Sequence, residues 1–115
     1  PRISIDRARV RLALRNLIEN ALRHGAGDGA TLTVGADHAG LVVTVRDFGP
    51  GVDPQQLARL GEPFYRTDMA RERVTGGVGL GLHLARLVAV AHGGTLTLRN
   101  AEPGFEAALR LPRSR

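Results

Sequence analysis

Gly76-Gly77-Val78-Gly79-Leu80-Gly81-Leu82 is the stretch on which the reading of this chain turns. Four of its seven residues are glycine, and from Leu82 to Ala91 the chain is helix-forming and mostly apolar. Glycines let backbone N–H groups converge on a ligand with no Cβ in the way. A helix N-terminus adds unpaired N–H groups and the positive end of the helix dipole, so a glycine turn running into a helix suits a phosphate. Packing alone also produces such turns, and both readings stand at this point. The stretch is neither a P-loop, because no Lys-Ser/Thr pair follows, nor a Rossmann turn, because no apolar strand runs directly into it.

Working outward, the 115 residues make one domain large enough to bury a core. Apolar residues make up 43% and charged residues 23%, the usual balance of a soluble globular protein. With three Phe, one Tyr and no Trp, the core falls to Leu, Val and Ala. The absence of Cys excludes a disulfide framework and a thiolate metal site, and fits the cytoplasm. The net charge of +5 comes from arginines spread along the chain, which reads as solubility plus attraction for an anionic ligand. Nucleic acid is not the expected partner, since the basic residues form no single arm and few aromatics could stack on bases. No stretch approaches the ~20 apolar residues of a membrane span, and these residues are not expected to include a signal peptide. The abrupt opening Pro1-Arg2-Ile3-Ser4-Ile5 reads as the middle of a strand, so a fragment of a longer protein is expected.

Along the chain, Asp6 is placed to cap a helix over about Arg7 to His24, closed by Gly25. At 100° per residue, Val10, Leu14, Leu17, Ile18, Ala21 and Leu22 fall on one broad face. Asn16, Glu19, Asn20 and Arg23 fall on the other. Thr31–Ala36 and Leu41–Arg46 alternate in polarity around Asp37-His38-Ala39-Gly40, which predicts an antiparallel hairpin of two strands, each with one apolar face. Asp53 and Pro54 start a short helix to about Leu60. Residues 61–75 have no periodicity and read as a long polar loop. A buried helix over about Leu80 to Ala91 ends at His92-Gly93-Gly94. Strands Thr95–Asn100 and Gly104–Leu111 follow, joined at Glu102-Pro103-Gly104. The expected fold is α+β, a two-layer sandwich with about three helices on one face of a mixed, mostly antiparallel sheet.

Two further pieces could carry chemistry. Asn16 and Asn20 stand four residues apart with Arg23 one turn on, so two amides project from one helix face. Such amides can offer oxygens to Mg²⁺, which takes few protein ligands alongside phosphate oxygens and water. A solvated helix face gives the same spacing. Asp47-Phe48-Gly49-Pro50-Gly51 follows a strand, and its carboxylate could accept a hydrogen bond from an exocyclic amine such as adenine N6. Gly49 and Gly51 would let the backbone lie close to a flat ring. A plain turn with an Asx contact is the alternative.

The order of the pieces narrows the choice. Asn-Leu-x-x-Asn-Ala-x-Arg-His at 16–24, Asp-x-Gly-x-Gly at 47–51, Pro63-Phe64-Tyr65-Arg66 and Gly-Val-Gly-Leu-Gly-Leu at 77–82 occur in register. This set resembles the N, G1, F and G2 boxes of the catalytic ATP-binding domain, of the GHKL type, of bacterial sensor histidine kinases. The resemblance runs from Ile5 to Pro112. It implies binding of ATP with Mg²⁺ and donation of the γ-phosphate to a histidine on a separate dimerisation domain. By the same resemblance Asn20 is a Mg²⁺ ligand, Asn16 lies close to metal and triphosphate, and Arg23 contacts phosphate. His24 lies near the nucleotide, Asp47 holds adenine N6, and Gly51 gives the ring backbone access. Tyr65 lies against the nucleotide and Arg66 points at the terminal phosphates. Gly77, Gly79, Leu80 and Gly81 hem in the phosphates beneath a mobile lid over about residues 67–76, which carries Arg71 and Arg73.

The resemblance also marks what is missing. Its phosphoacceptor is a His followed by Glu or Asp on a dimerisation helix, whereas the histidines here are His24-Gly25, His38-Ala39, His83-Leu84 and His92-Gly93. His83 and His92 read as structural helix residues and His38 as a turn residue. The resemblance thus implies the phosphate-donor half alone, expected to be monomeric by itself and not to phosphorylate itself. Its implied partners are the phosphoacceptor domain of the same kinase and a downstream response regulator. The implied setting is the cytoplasmic side of an inner-membrane protein, with no membrane contact by this part. Asn16 occupies the position of a general-base Glu in related hydrolytic ATPases, and an amide cannot take a proton from water. Glu19, beside Asn20, is not assigned a catalytic role. Two other functions share these boxes: a module that senses ATP or ADP without transfer, and a serine kinase acting on an anti-sigma antagonist.

Overall fold

A computed structural model describes residues 6–24, 29–57, 59 and 81–112. The expected strand at Ile3–Ile5, the polar loop at 61–75 and most of the glycine stretch lie outside the described residues. Among the described residues seven elements follow in order: α1 (Arg7–His24), β1 (Ala30–Asp37), β2 (Gly40–Asp47), α2 (Pro54–Leu57), α3 (Gly81–Ala91), β3 (Thr95–Asn100) and β4 (Phe105–Pro112). The strands form one sheet in the order β1-β2-β4-β3, and every described pairing is antiparallel. The short helix is described over Pro54–Leu57, with Arg59 in a turn, and Leu60 lies outside the described residues. No helix among the described residues is long and apolar enough to cross a membrane.

The helix ends are set by local chemistry. The Arg9 N–H donates to Asp6 Oδ1 at 3.1 Å and the Val10 N–H to the Asp6 carbonyl at 2.9 Å, so Asp6 is the N-cap of α1 as predicted. Asp53 does the same for α2, accepting from the Gln55 N–H at 2.9 Å. The end of α3 is tied by the Gly93 N–H to the Val90 carbonyl (2.9 Å) and the Gly94 N–H to the Ala89 carbonyl (2.7 Å), the paired bonds of a Schellman motif. His92 serves this corner. Its Nδ1 bonds the Val88 carbonyl at 2.8 Å, and its Nε2 accepts from the Asp6 N–H at 3.0 Å. That second bond joins the end of α3 to the start of α1 and accounts for His92 as structural. Replacing Asp6 by Ala removes one capping bond and an exposed ion pair to Arg9, so a loss of about 1 kcal/mol is expected. Urea unfolding would show a lower midpoint with an unchanged slope.

The hairpin turn is closed by Asp37, whose Oδ1 accepts from the Ala39 N–H (2.8 Å) and the Gly40 N–H (3.0 Å). Those two backbone donors hold its carboxyl below the usual carboxylate range.

The register explains where the core sits. Partners in an antiparallel pair project to the same face, so Val34, Val43, Leu109 and Leu96 form one row across the sheet. Leu32, Val45, Ala107 and Leu98 form the next. This face meets Val10, Ala13, Leu17 and Ala21 of α1 and Ala85, Val88 and Ala89 of α3, while Leu57 of α2 packs at the margin. The same rows show why β1 departs from expectation. Leu32 and Val34 point to the helix side, yet both are exposed, because β1 is the edge strand and the buried helix residues gather over β2, β4 and β3.

Helix α1 is rolled relative to its predicted apolar face. Ile18 and Leu22 are exposed (Leu22 by 59%), whereas Ala13 is fully buried. The buried stripe Val10-Ala13-Leu17-Ala21 has Leu14 and Ile18 on one flank and Asn16 and Asn20 on the other. The asparagine flank is half-buried. Alanine explains the roll, because Ala13 and Ala21 let the helix approach sheet and α3 more closely than leucines would.

Candidate functional site

Asp47 ends β2 on the parity that faces the helices, one row beyond Val45. Its side chain is 1% exposed. A carboxylate in such a place must be fully hydrogen-bonded or be waiting for a partner. Oδ1 is satisfied twice, accepting from the Gly49 N–H at 3.0 Å and the Phe105 N–H at 3.2 Å. Oδ2 is buried with no partner. The Asx contact named as the alternative for this turn is therefore present, but it occupies one oxygen and leaves the other as a free buried acceptor. A donor such as an exocyclic amine would complete it.

On α1, the Asn16 Nδ2 is likewise buried and without a partner. Asn16 stands against the start of α3, where a Cβ on Gly81 would lie 3.8 Å from the Asn16 Cβ. The structure thus brings together one residue of the asparagine pair and one of the glycine stretch, which are 65 positions apart in the chain. Asn20 and Arg23 are half-buried on the same flank, while Glu19 is exposed and paired with Arg15 at 3.1 Å. The first described turn of α3 carries no acidic residue. Among the described residues three buried side-chain atoms lack partners: Asn16 Nδ2, Asp47 Oδ2 and Arg46 Nε. Two of the three belong to residues selected from the sequence.

The loop after Asp47 is braced from the β3–β4 turn, which sequence reasoning missed. Asn100 bonds the Val52 backbone twice: its Oδ1 accepts from the Val52 N–H at 2.8 Å and its Nδ2 donates to the Val52 carbonyl at 2.6 Å. Arg46 Nη2 donates to the Pro103 carbonyl at 3.1 Å, with its guanidinium 4.8 Å from the Phe48 ring centroid. The turn itself is closed by the Ala101 N–H to the Gly104 carbonyl at 2.9 Å. An asparagine at a strand end carries no signal in a sequence when its partner lies 48 residues away.

Tyr65, Arg66, Gly77, Gly79, Leu80 and the lid with Arg71 and Arg73 lie outside the described residues. His24 is the last residue of α1, and its side chain lies outside them as well. Gly49 is buried and Gly51 half-buried beside Asp47.

The family model for histidine kinase-, DNA gyrase B-, and HSP90-like ATPases matches residues 5–115. The signal transduction histidine-protein kinase AfsQ2 of Streptomyces coelicolor is 41% identical over 109 residues, covering 94% of this chain and 20% of AfsQ2. The mycobacterial sensor histidine kinase MprB superposes with a TM-score of 0.84 at 28% identity, over 96% of this chain and 76% of that one. The ATP binding domain of PrrB from Mycobacterium tuberculosis does so with 0.76 at 32%, over 98% and 73%. The chain spans about a fifth of the length of the curated relatives it matches.

Proposed function

This chain belongs to the histidine kinase-, DNA gyrase B- and HSP90-like ATPase family, and on that premise we propose that it binds Mg-ATP and donates the γ-phosphate to a histidine on a separate phosphoacceptor domain. The observation that carries the reading is the buried Asp47 carboxylate with one free oxygen, set before a glycine loop. A free acceptor at 1% exposure fits the N6 amine of adenine and disfavours a ring with a carbonyl there.

The residues also fit the polyphosphate. Asn16 presents an unpaired buried N–H, which suits a phosphate oxygen. That leaves the amide oxygen of Asn20, one turn along, as the metal ligand, with Arg23 to contact phosphate. Gly81, the first described residue of α3, lies against Asn16 and brings the helix start beside it. Tyr65, Arg66, Gly77, Gly79 and Leu80 complete the site in this proposal. Mg-ATP, when bound, supplies the phosphoryl group and the cation that neutralises it. The protein's part is to hold and orient, since phosphoryl transfer needs little covalent help. Asn16 cannot accept a proton from water, so hydrolysis is expected to be slow without an acceptor. The acceptor domain, and a response regulator beyond it, would belong to the wider system of which this chain supplies the donor.

A transfer assay tests the activity. With labelled ATP, Mg²⁺ and the cognate dimerisation domain, label is expected on histidine of that domain and none on this chain. No labelled histidine under any condition would overturn the kinase reading and leave a nucleotide-sensing module. Label on serine of an anti-sigma antagonist would replace it with the serine-kinase reading.

A further inference from the structure

We propose that Asn100 is the positioning residue that sets base selectivity, by holding the Asp47–Asp53 loop at a fixed height beside the Asp47 carboxylate. This rests on the nucleotide reading above and adds to it a residue that never touches the ligand.

The loop has few fixed points. At its start the Gly49 N–H is held by Asp47 itself, and at its end Asp53 is committed to capping α2. Between them, Val52 is fastened at both its N–H and its carbonyl by the single amide of Asn100. That arrangement imitates one rung of an antiparallel ladder, with a side chain in place of the second strand. It uses donor and acceptor at once, which of the polar side chains of this length only an asparagine amide can do. Asn100 is itself fixed by its pairing opposite Phe105. The Phe105 N–H is one of the two donors that orient Asp47. One strand end therefore positions both the carboxylate and the loop beside it. Gly51 lies against the same amide: a Cβ there would stand 3.0 Å from Asn100 Oδ1 and 3.0 Å from the Gly104 carbonyl oxygen. The spacing between Gly51 and Asp47 is thus set by the length of the Asn100 side chain.

Selectivity for a hydrogen-bonding group depends on placing it to within roughly 0.5 Å. When Val52 is released, the loop can move away from Asp47, and water can reach Oδ2. Binding held by the phosphates persists, whereas the preference for a 6-amino purine is lost.

Calorimetric titration of the full chain with ATP and with inosine triphosphate, which carries a carbonyl in place of the amine, tests this. The wild type is expected to prefer ATP. In Asn100→Ala that preference falls at least fivefold, while inosine triphosphate affinity changes less than twofold. Asn100→Asp, of the same length, keeps the acceptor for the Val52 N–H but loses the donor to its carbonyl; it recovers part of the preference and serves as the readout should the alanine variant not fold. A merely structural role would lower the unfolding temperature and weaken both nucleotides equally, and that result overturns the proposal. Full preference in both variants also overturns it, leaving the nucleotide site intact. A wild type that binds neither nucleotide overturns the nucleotide reading, and the role of Asn100 with it.

Discussion

Asp47→Asn is expected to leave the fold intact and to weaken ATP binding at least 100-fold, about 2.7 kcal/mol, beyond detection in a calorimetric titration. The asymmetry of the two carboxylate oxygens makes the substitution informative. Oδ1 accepts two backbone N–H bonds, so an amide placed there keeps its oxygen on that side. Its NH₂ then takes the place of Oδ2, and a donor faces where an acceptor stood. The 6-amino group of the purine meets another donor in a buried setting, which costs more than losing the bond alone. Asp47→Ala would mix two effects, because it strips Gly49 and Phe105 of their acceptor at the same time. Near-normal ATP binding by the Asn variant, with thermal unfolding unchanged, would show that the base is not recognised at this position.

The second large effect falls on stability. Gly104→Ala is expected to cost about 3–5 kcal/mol, a large share of the roughly 5–15 kcal/mol that holds a domain of this kind together. Gly104 has a φ of +105°, which other residues rarely adopt. A Cβ there would stand 2.7 Å from the Asp47 carbonyl carbon, closer still to its oxygen, and 3.0 Å from the Phe48 Cα. Those are backbone atoms, so nothing can swing aside, and the turn must lift off β2. Lifting it would drag on the Phe105 N–H bond to Asp47 and on the Pro103 carbonyl bond to Arg46. Chemical denaturation should show a fall in midpoint several times that of Asp6→Ala. A change within 1 kcal/mol would mean that the turn accommodates a side chain after all.

Much of this molecule was legible in its residues. Asp6 and Asp53 announced their helices because capping is a local bond between a side chain and an N–H two or three positions on. The hairpin at Asp37–Gly40 was legible for the same reason, with both bonds inside four residues. Asp47 could be picked out by the glycines that follow it, and Asn16 and Asn20 by their spacing. The roll of α1 was not legible, because Ile18 and Leu22 are as apolar as Leu14 and Leu17, and periodicity cannot say which flank meets the sheet. Nor was the exposure of Leu32 and Val34, which follows from the place of β1 at the edge and not from its own alternation.

The sequence by itself determined the elements, their caps and turns, and the set of polar residues from which a nucleotide site could be built, because each of those depends on bonds or periodicities within a few residues. Tertiary structure alone decided that only one oxygen of Asp47 is free and that Asn16 meets the start of α3. It alone fastened the Val52 backbone to an asparagine 48 residues away. The physical reason is common to all three. Burial and hydrogen-bond satisfaction are properties of what surrounds a group, and those surroundings exist only once distant strands and helices have packed together.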